Sequence, residues 1–78
     1  MCAEVRQVRS GELYRHFKGN IYRVLCVATH TEDSSALVIY EDTRELGRIW
    51  ARPLEMFNSL VDKEKYPQAS QKYRFEKI

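Results

Sequence analysis

No apolar run in this 78-residue chain exceeds five residues, whereas a membrane-spanning helix needs about 20. The sequence therefore predicts no transmembrane segment and no membrane partner. Residues 1–9 hold Glu4, Arg6 and Arg9 where a secretory leader would have an apolar stretch. Cysteine is scarce, with two residues, too few for a disulfide framework. Cys2 falls in a loose terminus and Cys26 inside an apolar strand, a poor pair for a structural bridge; the expected compartment is the cytoplasm. Three glycines and two prolines exclude collagen-like and linker-like compositions. Charge of one sign is missing too: 13 basic and 11 acidic residues leave a net +2. So weak and mixed a field does not by itself argue for nucleic acid.

What is present is an ordinary globular balance, 44% hydrophobic and 31% charged, away from the composition of disordered chains. A chain this short makes one domain with one thin core, burying about 60–65% of its unfolded surface. Residues 1–9 show no period and read as a flexible N-terminal arm, with Ser10-Gly11 opening a single domain over 10–78.

Within that domain the alternation is that of strands. Residues 12–17 read as a strand and Lys18-Gly19-Asn20 as a tight turn, because Gly and Asn tolerate positive φ. Residues 21–30 give the longest β signal, with Tyr22, Val24, Cys26, Ala28 and His30 on one face; the small Cys26 and Ala28 suit a crowded interior. A polar turn over 31–35 leads to a β-branched strand over 36–40, paired with the previous one as a hairpin. Residues 48–52 form a short strand stopping at Pro53, and Pro53 begins one helical turn over 53–57 with Leu54 and Phe57 inward. Residues 58–62 suggest another strand, 63–71 a flexible polar loop, and 73–78 a closing strand. Five to six short antiparallel strands and one short helical turn predict an all-β fold, a small closed or half-open barrel.

Two runs concentrate aromatics and cations: Tyr14-Arg15-His16-Phe17-Lys18-Gly19-Asn20-Ile21-Tyr22, and Trp50-Ala51-Arg52-Pro53-Leu54-Glu55-Met56-Phe57. With ATHTE, LVIY and a final RF between and after them, they resemble a family of small bacterial proteins known chiefly as a domain of unknown function. Its pattern reads Y-R-H-[FY]-K-G-x-x-Y-x-V, A-x-H-[ST]-E, V-x-Y, W-x-R-P-x-x-M-F and R-F. The resemblance runs from about residue 11 to 78 and implies an SH3-like barrel; it brings no enzymatic activity, cofactor or partner. The chain departs from the pattern at 42–47, where Arg44-Glu45 stands in place of a Tyr-Gly pair, and in its longer polar segment before Tyr73.

Few residue pairs offer candidate chemistry. Cys26 and His30 could pair as nucleophile and base, but four residues of strand part them by roughly 13 Å, and Cys26 reads as a core filler. His16, His30, Glu32 and Asp33 lack the tight spacings of a zinc site, so no metal and no cofactor are expected. No acid, base and nucleophile set shows productive spacing, so no enzyme is expected. The remaining reading is a polar and aromatic pocket built from Tyr14, His16, His30, Glu32, Trp50 and Arg52. Trp50 or Tyr14 would be its stacking platform, Arg52 its anion fork, and His30 and Glu32 its hydrogen-bonding groups. Its bland counterpart is that Trp and Tyr supply core bulk and that Arg52 and Glu32 form an ion pair. The sequence thus predicts a non-catalytic binding or adaptor module for a small ligand or peptide, monomeric or weakly dimeric. The alternative is single-stranded nucleic acid, for which Arg15, Lys18, Arg23, Arg48 and Arg52 alternate with aromatics.

Overall fold

In a computed structural model, which describes residues 7–78, five strands form one antiparallel sheet. They are β1 (Leu13–His16), β2 (Ile21–Thr29), β3 (Ala36–Asp42), β4 (Ile49–Pro53) and β5 (Phe75–Lys77), in the spatial order β4-β3-β2-β1-β5. One short helix, α1 (Leu54–Phe57), follows β4 directly. The fold is mainly β and barrel-like. Among the described residues no backbone ladder joins β4 to β5, yet the Arg52 guanidinium of β4 lies over the Phe75 ring of β5 at 5.7 Å. The sheet therefore curls until side chains on its two edges meet, leaving an open seam between them. The first six residues, including Cys2 and most of the 1–9 arm, lie outside the described residues.

The first hairpin closes where the turn residues dictate. Gly19 takes φ +108°, a region that costs other L-residues steric strain, and its N–H donates to the His16 carbonyl at 2.7 Å. In the second hairpin β2 and β3 pair from Tyr22↔Asp42 to Thr29↔Ala36, but the register steps from Val24↔Tyr40 to Cys26↔Ile39. Leu25 is thus one residue too many on β2, a bulge that reverses which face each later side chain takes. Tyr22 and Val24 look inward as alternation predicts. Beyond the bulge Val27 pairs with the buried Val38 but keeps 43% of its own surface exposed, and Cys26 is exposed as well, so β2 adds nothing to the core past Val24. The expectation of one continuous face through Cys26, Ala28 and His30, and of Cys26 as a core filler, is corrected by this single inserted residue.

The core is small and aromatic. Tyr14, Val24, Val38, Tyr40, Phe57 and Phe75 form it, with Val8, Tyr22 and Leu54 packed against it. Phe57 stacks on Phe75 with centroids 4.1 Å apart and planes at 7°, and meets Tyr14 edge-on at 5.0 Å. The helical turn after Pro53 thus plugs the concave side of the sheet, and Phe57 alone is worth about 1.5–3 kcal/mol of burial. The expected strand over 58–62 reduces to a single bridge, Leu60↔Tyr73, beside the Arg74 N–H to Ser59 carbonyl bond at 2.8 Å. Residues 63–71 are a series of turns fastened by Tyr66, whose ring packs on Phe17 at 4.8 Å. Gln71 adds a second tie, donating from Nε2 to the Arg15 and Tyr73 carbonyls, each at 3.1 Å. No helix among the described residues is long and apolar enough to cross a membrane.

Candidate functional site

Cross-strand register decides which of the candidate residues meet. On β4, Trp50 stands opposite Tyr40 and Arg52 opposite Val38, so both take the concave face. On β1, His16 stands opposite Phe75 of β5. Curling of the sheet brings β4 up to β1 and β5, and His16, Tyr22, Tyr40, Trp50, Arg52 and Phe75 line a cleft of about 130 Å³ at the seam. Arg52 Nε donates to the Tyr40 hydroxyl at 3.2 Å, which fixes the guanidinium at the mouth. Phe75 forms the aromatic centre, edge-on to His16 at 4.9 Å, to Tyr40 at 5.5 Å and to Tyr22 at 5.8 Å. Trp50 keeps 42% of its surface exposed, with the Arg48 guanidinium 5.1 Å from its ring centre.

His16 is the titratable member of the cleft. Its Nδ1 accepts the Lys18 backbone N–H at 3.1 Å, so the neutral ring carries its proton on Nε2. Burial, followed by the nearby charges of Arg52, Arg74 and Lys18, pushes its pKa down from 6.5 to about 4. At neutral pH it is an uncharged hydrogen-bond donor.

The remaining candidates lie elsewhere. Tyr14 is in the core with 2% exposure, and its hydroxyl donates to Glu12 Oε1 at 3.0 Å, so no face is left for stacking a ligand. His30 and Glu32 stand in the turn between β2 and β3, at the end of the hairpin away from Tyr22. There His30 Nδ1 accepts the Glu32 backbone N–H at 3.0 Å and lies 3.6 Å from Asp33 Oδ1. A left-handed Ser34, at φ +63°, completes this turn. His30 and Glu32 thus serve their own turn, and no ion pair joins Glu32 to Arg52 among the described residues. Nor do three or more His, Cys, Asp or Glu residues gather there in an arrangement able to hold a metal ion.

Sequence reasoning passed over Tyr22, Tyr40 and Phe75 as site residues, although each stands in a quoted motif, because an aromatic on an alternating strand reads as core. It passed over Arg74 as well, the first residue of the R-F pair. Phe17 N–H donates to the Arg74 carbonyl at 2.9 Å, which places Arg74 beside the first hairpin.

Fold and site together define a small mainly β domain with an open, cation-rimmed aromatic cleft between its two edge strands. The family described as "Protein of unknown function (DUF1653)" matches residues 12–77, and the chain belongs to it. Comparison with curated proteins and with solved structures gives no match.

Proposed function

We propose that the domain is a non-catalytic binding module and that the seam cleft is where it holds a small ligand or a peptide side chain. The observation that carries this reading is the convergence of His16 from β1 and of Trp50 and Arg52 from β4 onto Tyr22, Tyr40 and Phe75. A flat apolar group would find ring edges and a half-open indole there, with Arg52 and the His16 Nε2–H as polar fixings. Among the described residues the lining offers donors and π faces but no carboxylate, thiol or aliphatic hydroxyl, a set suited to holding a group and not to attacking one. Trp50 sits at the rim, so replacing it leaves the core intact.

Amide-shift titrations with a metabolite mixture, a peptide pool and a short oligonucleotide test the reading. Binding is expected to shift His16, Tyr22, Trp50 and Arg52, and Trp50→Ala to weaken it by about tenfold or more. Shifts confined to other faces, or affinity indifferent to Trp50→Ala, would sink the reading. Single-stranded nucleic acid is the second reading, favoured by the exposed Trp50 ring beside Arg48 and Arg52. It predicts affinity that falls steeply with salt, where a single pocket predicts a shallow slope.

A further inference from the structure

Next to the seam cleft, and sharing His16 and Arg52 with it, lies a second cavity of about 300 Å³. Lys18, Arg52, Lys65 and Arg74 all line it. Some cations elsewhere on the molecule have counter-charges: Arg23 lies 3.6 Å from Glu41, Arg48 3.2 Å from Glu45, and Lys77 3.0 Å from Glu12. Among the described residues no carboxylate lies within ion-pair reach of any of the four in this cavity. Among the described residues Asp62 is the one acid in the lining, and its Oδ1 accepts the backbone N–H groups of Glu64 at 3.1 Å and Lys65 at 3.3 Å.

The two guanidinium groups are also aimed. Arg52 is held through Nε by the Tyr40 hydroxyl, and Arg74 through Nε by Ser59 Oγ at 3.1 Å. Their terminal nitrogens make no other hydrogen bond among the described residues. His16 adds an Nε2–H donor where the two cavities meet. Four like charges around one space repel each other, and a bound anion would relieve that repulsion.

We propose that this cavity receives the phosphate of a small phosphate monoester whose ring lies in the Trp50 cleft, with Arg52 spanning the two halves. The ring half rests on the binding reading above, whereas the phosphate half stands on the cavity's own cations. A carboxylate is satisfied by one guanidinium fork; a dianionic, tetrahedral phosphate presents enough acceptors for two guanidinium and two ammonium groups.

Calorimetric titration of the intact chain with phenyl phosphate, phenol, inorganic phosphate and a short oligothymidylate separates the alternatives. Phenyl phosphate is expected to bind about tenfold or more tightly than phenol or phosphate alone, since each charge-assisted bond is worth about that factor. Arg74→Gln should weaken phenyl phosphate and inorganic phosphate by about tenfold and leave phenol unchanged. Lys18→Gln, at an exposed position where folding is not at stake, should act in the same direction. Trp50→Ala should weaken phenyl phosphate and phenol but not inorganic phosphate. Phenyl phosphate binding no tighter than phenol, or indifference to both cation variants, would overturn the phosphate assignment while the cleft reading stands. Indifference to Trp50→Ala with full sensitivity to Arg74→Gln would overturn the ring half and the cleft reading with it. Oligothymidylate binding about a hundredfold or more tightly than phenyl phosphate, with a steep salt slope, would replace the small ligand by a strand.

Discussion

His16 ties acid sensitivity to the cleft. Folding lowers its pKa from 6.5 to about 4, through burial first and the Arg52, Arg74 and Lys18 charges next. Between those two values the unfolded chain holds a proton that the folded chain refuses, so acid favours unfolding. Stability should fall as pH drops from about 6.5 to about 4, with no further loss from this residue below that. Glu12 works in the same direction in more acid solution. Burial raises its pKa, but this is outweighed by the Arg9 N–H, Lys77 and Tyr14 bonds, which hold the carboxyl below its usual value. Urea midpoints measured across the range should therefore slope less in His16→Gln than in the parent above pH about 5; equal slopes would mean His16 is not held neutral. At this scale the sequence was legible where alternation alone sufficed. His16, Trp50 and Arg52 meet because odd and even positions on short, regular strands keep their faces. His30 and Glu32 were misplaced because nearness to a motif in sequence says nothing of which end of a nine-residue strand a side chain ends on.

Turns and strands were read well from local chemistry, and the errors come from features that local chemistry does not mark. Gly19 in the first hairpin is the clear success. No atom lies within 4 Å of where a Cβ would stand, so Gly19→Ala meets no clash and pays only for its φ. A loss of about 1–2 kcal/mol is expected, measured as a lowered urea midpoint with an unchanged slope; a neutral result would mean the turn relaxes. The bulge at Leu25 is the clear failure. Val24-Leu25-Cys26-Val27 contains no Gly or Pro to announce it, and only the partner strand's register exposes it. The segment over 58–62 has the apolar residues of a strand, Leu60 and Val61, but pairs only through Leu60↔Tyr73, since the adjoining chain is drawn into the helical turn and its cap.

At the scale of the whole molecule, the described residues hold one small core, and the proposed binding cleft is made from it. Phe75 and Tyr40 are buried at 1% and 4% exposure, yet both line the cleft, and Phe57 stacks behind Phe75. Phe57→Ala should cost about 3–5 kcal/mol, a large part of the roughly 4–12 kcal/mol that a chain of this size commands. The checks are a sharply lowered urea midpoint and weakened near-ultraviolet circular dichroism from the aromatic cluster; a loss under about 1 kcal/mol would mean the core refills the space. The barrel-like class was legible from strand count and turn spacing. That the two edges meet through side chains, without a closing ladder, was not, because the last pairing in a curled sheet depends on how far every other pair twists. The unladdered seam has a kinetic meaning. Opening it parts Arg52 from Phe75 and breaks no β4–β5 ladder bond among the described residues, so the first step of unfolding and the step that admits a ligand follow the same coordinate. Occupancy of the cleft should then slow amide exchange in β4 and β5 before it slows exchange in β2, as a clasp secures the edges of a cuff before its middle.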